Sequence, residues 1–140
     1  MQRQLIAKAL NFLSRREYSR RELLLKLEKF TTEKELIITV LDYLQQQNYQ
    51  SDQRFVESYV RTSILSGYGP MRIKYKIQQK GISCAEIEEY LANLEINWQE
   101  LAHQQILRKF GNKDLKDRKV LAKIYNFLYL KGFGQYIEYI

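Results

Sequence analysis

Arg72, Lys76 and Lys80 recur every fourth residue in a stretch without an acid, a spacing that stacks three cations on one side of a helix. Such a row offers charge-assisted hydrogen bonds to phosphates or carboxylates. No Asp or Glu lies three or four residues away along that helix to pair with it. Arg61 and Lys74 complete a central cluster of five bases with no acid between Arg61 and Lys80, whereas five acids and no base lie between Glu86 and Glu100. Further clusters stand at Arg15, Arg16, Arg20 and Arg21, and at Arg108, Lys109, Lys116, Lys119 and Lys123, the last three able to share a helical face. Tyr68 and Tyr75, beside the central row, are candidates for base stacking or an interface contact. The other tyrosines are too many for one stacking platform and are read as inter-helix packing with the hydroxyl at solvent. The chemistry on offer is recognition of an anion.

Catalysis has little to work with. His103 is the only histidine, and one histidine cannot build a His-based metal cluster. Cys84 has neither a second cysteine nor a nearby histidine in sequence, so no functional thiol is assigned. Gly67-Tyr68-Gly69 lacks the GxxxxGK[ST] spacing and the preceding strand of a phosphate loop, and is read as a flexible turn ahead of a helix. No catalytic residue, metal or cofactor is expected, and the chain is not read as an enzyme.

The elements that must position these residues are helical. The chain has one proline and six glycines, and no run of apolar/polar alternation, so the class is all-α. Leu5, Ala9, Phe12 and Leu13 mark a first helix. Ser19 with Glu22, Thr32 with Glu35 and Ser83 with Glu86 have capping-box spacing and launch helices through Leu23 and Leu27, Ile37 and Leu44, and Ile87 and Leu91. Ser51 or Asp52 caps a helix containing Phe55 and Val60. Pro70 suits the first turn of the helix that carries the cationic row and closes at Gly81, with Ile73 and Ile77 as an apolar line about 100° around the axis. Asn97 with Glu100 begins a helix ended by Gly111. Asp114 or Asp117 begins another ended by Gly132, and a short piece from Tyr136 to Ile140 finishes the chain.

One three-helix unit is written three times at a period of roughly 50 residues, over 1–50, 51–96 and 97–140. Leu23 and Leu27 correspond to Ile73 and Ile77, then to Ile124 and Leu128. An apolar residue follows each of these second helices, at Phe30, Ile82 and Phe133, and the junctions Lys80-Gly81-Ile82 and Lys131-Gly132-Phe133 nearly coincide. Units of this kind bury their cores between neighbours, which predicts an elongated, curved array suited to an extended partner.

At 140 residues, with 45% hydrophobic residues, the chain is long enough to bury a substantial core. The net charge of +7 indicates an acidic partner: nucleic acid, an anionic membrane surface or an acidic protein. The single cysteine suits a reducing compartment, and no apolar run has the length of a membrane span, so a soluble cytoplasmic monomer is expected. From the residues alone, a basic helical DNA-binding protein using a recognition helix and a helical scaffold for acidic proteins both remain open.

The chain resembles the RecX regulators of the RecA recombinase. The matching pieces are Leu13-Ser14-Arg15-Arg16-Glu17-Tyr18-Ser19 with Glu22-Leu23 and Lys26-Leu27, Asp52-Gln53-Arg54-Phe55, Gly67-Tyr68-Gly69-Pro70-Met71-Arg72-Ile73, Lys80-Gly81-Ile82, Trp98, Arg108-Lys109-Phe110-Gly111, and Phe127-Leu128 with Lys131-Gly132-Phe133. The central GYGP…RI…KGI pattern is the most specific. The chain departs at Asn48-Tyr49-Gln50-Ser51-Asp52, where members typically show Gly-Tyr-Leu-Asp-Asp. The resemblance implies three tandem three-helix repeats and a non-enzymatic modulator of recombination and DNA repair. Such a modulator binds RecA in the groove of its filament on DNA, contacts single- or double-stranded DNA through phosphates, and restrains ATP hydrolysis and strand exchange.

Overall fold

The computed structural model describes residues 1–139 and, among them, contains eight α-helices and a terminal 3₁₀ helix with no strand. The helices are α1 (Gln2–Arg15), α2 (Arg20–Leu27), α3 (Lys34–Gln46), α4 (Asp52–Leu65), α5 (Pro70–Gln79), α6 (Cys84–Ala92), α7 (Trp98–Phe110) and α8 (Arg118–Lys131), followed by the 3₁₀ helix Gly134–Tyr139. The all-α reading holds. The last piece is a 3₁₀ helix that starts earlier than expected, and Ile140 lies outside the described residues.

Three apolar cores follow one another along the chain. The first gathers Leu5, Ala9, Leu23, Leu27, Ile37 and Leu44 from α1 to α3. The second gathers Phe55, Val60, Ile73, Ile77, Ile82 and Ile87 from α4 to α6 and the end of α5. The third gathers Ala102, Ile106, Phe110, Ile124, Leu128 and Phe133 from α7, α8 and the residues after them. Trp98 packs against the second and third cores and joins them. The paired apolar positions of the second helices are all fully buried, and Ile73 and Ile77 fill the role their spacing predicts. Phe30 breaks the pattern. Ile82 and Phe133 are buried, but Phe30 is 43% exposed and lies against Phe12 and under the Lys8 ammonium.

Capping explains where most helices start. Ser19 and Glu22 form a complete box, each side chain taking the other's backbone N–H. Ser51, rather than Asp52, caps α4, Asn97 caps α7, and Asp117, rather than Asp114, caps α8. Two expected boxes fail. Thr32 and Glu35 do not cap α3: its N-cap is Glu33, whose N–H donates to the Thr31 hydroxyl. Ser83 accepts from the Glu86 N–H, but its hydroxyl donates to the Glu86 carboxylate, which therefore leaves the Ser83 backbone N–H unbonded by the box.

The second helices of successive units meet end to end. The carbonyl of Lys80, at the end of α5, accepts a 2.9 Å bond from the Ser19 hydroxyl at the start of α2. The carbonyls of Lys131 and Gly132, at the end of α8, accept bonds of 2.7 and 3.1 Å from the Gly69 and Met71 N–H groups at the start of α5. Each C-terminal carbonyl end thus meets the N–H end of the preceding second helix, the favourable arrangement of helix dipoles. Gly81 and Gly132 turn the chain at these joints with φ of +89° and +98°. Gly69 is there for closeness: a Cβ on it would lie 2.6 Å from the Gly132 carbonyl oxygen. The Gly67-Tyr68-Gly69 segment is therefore not a loose lead into a helix but one half of a packed joint.

Candidate functional site

Beside these joints runs a chain of shallow concavities whose charged lining is mostly cationic. The first, of about 250 Å³, is walled by Arg16, Arg21, Lys26, Lys29 and Lys80, with Tyr18, Glu22 and Leu25. The next shares Arg16, Glu22 and Lys80 with it and adds Glu17 from the link between α1 and α2, and Phe55, Ser58, Tyr59 and Thr62 from α4. A third shares Tyr59 and Thr62 and continues to Ser66, Tyr68, Arg72 and Lys76. The shared residues make one continuous trough over the first two units, and among the described residues Glu17 and Glu22 are its only acidic lining.

The two joints hold their cations by different chemistry. At the joint of α5 with α2, the Glu22 carboxylate is only 12% exposed and takes Arg16 at 3.3 Å and Lys80 at 3.1 Å. Arg16 also stacks on the Tyr18 ring, 3.6 Å from its centre. Burial works to raise the Glu22 pKa but is outweighed by the Arg16 guanidinium, the Ser19 backbone N–H and the Lys80 ammonium, which hold it below the ordinary value of 4.5. At the joint of α8 with α5, no acid intervenes among the described residues. Arg72 and Lys131 lie over the Tyr68 ring at 4.0 and 4.8 Å, and Lys131 and Lys109 both approach the Phe127 ring, at 5.9 and 4.6 Å. Lys109, Phe127, Lys131, Tyr68 and Arg72 form a ladder of alternating cations and rings. The ring faces keep these cations in place without cancelling their charge.

The central row survives in part. Arg72, Lys76 and Lys80 all line the trough, whereas Lys74 turns to α6 and pairs with Glu88 at 2.7 Å. No acid of α5 neutralises the row, yet Glu22 of α2 reaches Lys80 across the joint. Arg16 and Arg21 join Lys80 in the first concavity. Arg20 does not: its guanidinium binds Asp42 at 2.7 Å and Gln45 at 2.9 Å on α3, and its backbone N–H donates to Asp52. Arg15, Arg61, Arg108, Lys116, Lys119 and Lys123 are exposed and line none of these three concavities. Tyr68 is half-buried between its two cations, and Tyr75 is 58% exposed on another face of α5, beside Met71 and Lys74.

Sequence reasoning missed Glu22, Lys26, Lys29, Phe127 and Lys131 as parts of this face. The signals they left were indirect: Lys131 is the counterpart of Lys80 in the repeated Lys-Gly-apolar junction, Glu22 stands at capping-box spacing, and both lie in the segments that carry the family resemblance. The acidic stretch lies elsewhere: burial together with the carboxylates of Glu86, Asp52 and Glu89 pushes the Tyr90 hydroxyl above its ordinary pKa. Among the described residues, no group of His, Cys, Asp and Glu is placed to hold a metal ion, and no helix is long and apolar enough to cross a membrane.

The chain matches known proteins along most of its length. Residues 6–44 match the model of the first three-helix domain of RecX, and residues 51–91 match that of the second. Regulatory protein RecX of Pseudomonas putida (strain GB-1) is 38% identical over 125 residues, covering 89% of this chain and 80% of that protein. Its counterpart in Mannheimia succiniciproducens is 39% identical over 127 residues, covering 89% and 83%. The crystal structure of RecX from Lactobacillus salivarius shares the fold with a TM-score of 0.78 at 24% identity, over 99% of this chain and 97% of that one. A second crystal structure of a regulatory protein RecX gives a TM-score of 0.77 at 27% identity, over 98% of this chain and 70% of the other. The helical repeat architecture and these likenesses agree, and the chain belongs to the RecX family of regulatory proteins.

Proposed function

We propose that this chain is a non-enzymatic, cytoplasmic regulator of RecA that acts as a monomer, lies in the groove of the RecA–DNA filament and restrains its ATPase and strand exchange. Family membership supports the RecA partner, and the observation that carries the mode of contact is the continuous cationic trough beside the helix joints. A filament presents both DNA phosphates and acidic side chains along an extended path, and a row of cations drawn from successive units matches such a path. The repeats are assigned to 1–50, 51–96 and 97–140, each enclosing one of the three cores. Arg16, Arg21, Tyr68, Arg72, Lys76, Lys80 and Lys109 are the proposed contacts among the residues singled out in the sequence, joined by Lys26, Lys29 and Lys131.

The test is RecA ATP hydrolysis on single-stranded DNA with substoichiometric and stoichiometric protein. A decline in hydrolysis with added protein supports the reading, and unchanged hydrolysis and filament stability at every ratio refutes it. The trough also favours contact with DNA through phosphates over a base-reading recognition helix. Phosphate contact predicts weak sequence preference and a steep fall of affinity with salt, whereas base readout predicts a large affinity ratio between sequences.

A further inference from the structure

The two joints are equivalent in position but opposite in charge logic. Tyr18 and Tyr68 each precede a second helix, and Lys80 and Lys131 each end the second helix of the following unit. Three residues into the helix that follows each tyrosine's cap stand Glu22 in one unit and Arg72 in the next. Lys131 therefore faces a ring and a fellow cation, while Lys80 faces a carboxylate. One acid with two cations on it leaves the middle of the trough much less positive than either end. Glu17, the other acid there, is already engaged by Arg54 at 3.3 Å.

Resting on the proposed anion-binding role of the trough, we infer that Glu22 is an internal competitor for the polyanion: it occupies Arg16 and Lys80, a bound polyanion must displace it to use them, and its displacement loosens the joint between α2 and α5. Arg16 and Lys80 are accessible to a ligand on their outer sides, with 48% and 36% of their side chains exposed, whereas the carboxylate is enclosed. The same carboxylate holds the Ser19 N–H, and the Ser19 hydroxyl holds the Lys80 carbonyl, so the ion pairs, the cap and the joint form one cooperative unit. By linkage, whatever weakens the pairs strengthens polyanion binding, and polyanion binding weakens the pairs by the same factor. The α5–α8 joint, held by backbone hydrogen bonds and ring faces, has no acid to displace and stays closed when the trough is filled.

Binding of a fluorescent dT oligonucleotide to the full chain, by anisotropy across a salt series, tests this. Glu22→Gln keeps a side chain able to cap and is expected to bind roughly three- to tenfold tighter than the parent, since ion pairs whose cations stand partly in solvent resist displacement weakly. Its log–log salt slope should steepen by about 0.7 for each cation released. Lys80→Met should weaken binding less than Lys131→Met in the parent chain, and by about as much as Lys131→Met once Glu22 is Gln. Equal or weaker binding by a folded Glu22→Gln chain with an unchanged slope overturns the inference while leaving the proposed function standing. Absence of binding by every variant overturns the inference and counts against a nucleic-acid-facing trough as well. Amide exchange in the unsubstituted protein gives an independent readout. Saturating oligonucleotide should accelerate exchange at Ser19 and Glu22 but not at Gly69 and Met71, and unchanged or slower exchange at Ser19 and Glu22 would refute the competition.

Discussion

Glu22 shows how much a single side chain can carry: it caps its helix through Ser19, neutralises Arg16 and Lys80, and ties α2 to α5. Its carboxyl is held below 4.5 in the folded chain. The ionised form is thus bound more favourably in the native state than in the unfolded one. That contribution is fully present above the unfolded value and is lost as pH falls below 4.5 through the folded value. The difference in urea-unfolding midpoint between the parent and Glu22→Gln should therefore be largest near neutral pH and shrink as the solution is acidified below 4.5. A constant difference would sever the link. Ser19→Ala removes both the cap and the bond to the Lys80 carbonyl, and is expected to cost about 1–3 kcal/mol in chemical denaturation. The capping role of these two residues was legible because it depends on spacing alone. Their grip on Lys80, 58 residues beyond Glu22, was not.

At the scale of elements, the decisive features are the joints between second helices. Pro70 starting α5 and Gly81 and Gly132 closing α5 and α8 follow from backbone preferences that any sequence displays locally. That the α8 end docks on the α5 start is a long-range fact, and it brings the Gly67–Pro70 and Lys131–Phe133 segments into one joint though they lie over 60 residues apart. Gly132→Ala forces a side chain into a left-handed conformation, with its Cβ 2.6 Å from the Arg72 amide nitrogen. It should destabilise by more than about 1 kcal/mol and shift the denaturation midpoint accordingly. Ile73→Ala and Ile77→Ala, in the fully packed second core, should each cost about 2–5 kcal/mol. The series of joints stops at the far end of α2. Where α5 and α8 close with a left-handed glycine, α2 runs into Glu28-Lys29-Phe30 with Phe30 exposed, so that end is not shaped to dock on another helix in the same way. Asn48 illustrates a substitution that the fold absorbs: at φ +62° it occupies the conformation for which glycine is the easiest choice and asparagine among the next best.

Over the whole molecule, charge is organised by face rather than by segment. In the sequence Lys74 stands with the cationic row and Arg20 with the first cluster, but folding removes both, one to Glu88 and the other to Asp42. It adds Lys131 and Lys109, which reach the row only across the second joint. Because Lys80 is ion-paired to Glu22, the substitution that tests the trough and the adjoining ladder without touching the ion-paired cluster is Arg72→Ala with Lys76→Ala and Lys109→Ala. This chain should fold and keep its helical circular dichroism, yet bind single-stranded DNA more weakly, with a log–log salt slope shallower by about 0.7 for each phosphate no longer neutralised. It should also inhibit RecA hydrolysis less at equal concentration. Retention of the parental slope would remove these cations from the interface.

What the sequence determined by itself is everything that acts within a few residues: the all-α class, most of the caps and breaks, the buried pairs of the second helices, and the repeated junctions that carry the family likeness. Helical periodicity and capping are local, so a linear reading captures them. Only the tertiary structure decided which cations share a face, which of them an acid cancels, and which a ring holds without cancelling. Ion pairs and cation–ring contacts act over a few ångströms in space, whatever the distance along the chain. The cationic row was readable from its spacing, but its division into a cancelled half at Glu22 and an open half at Tyr68 was settled where separate units meet.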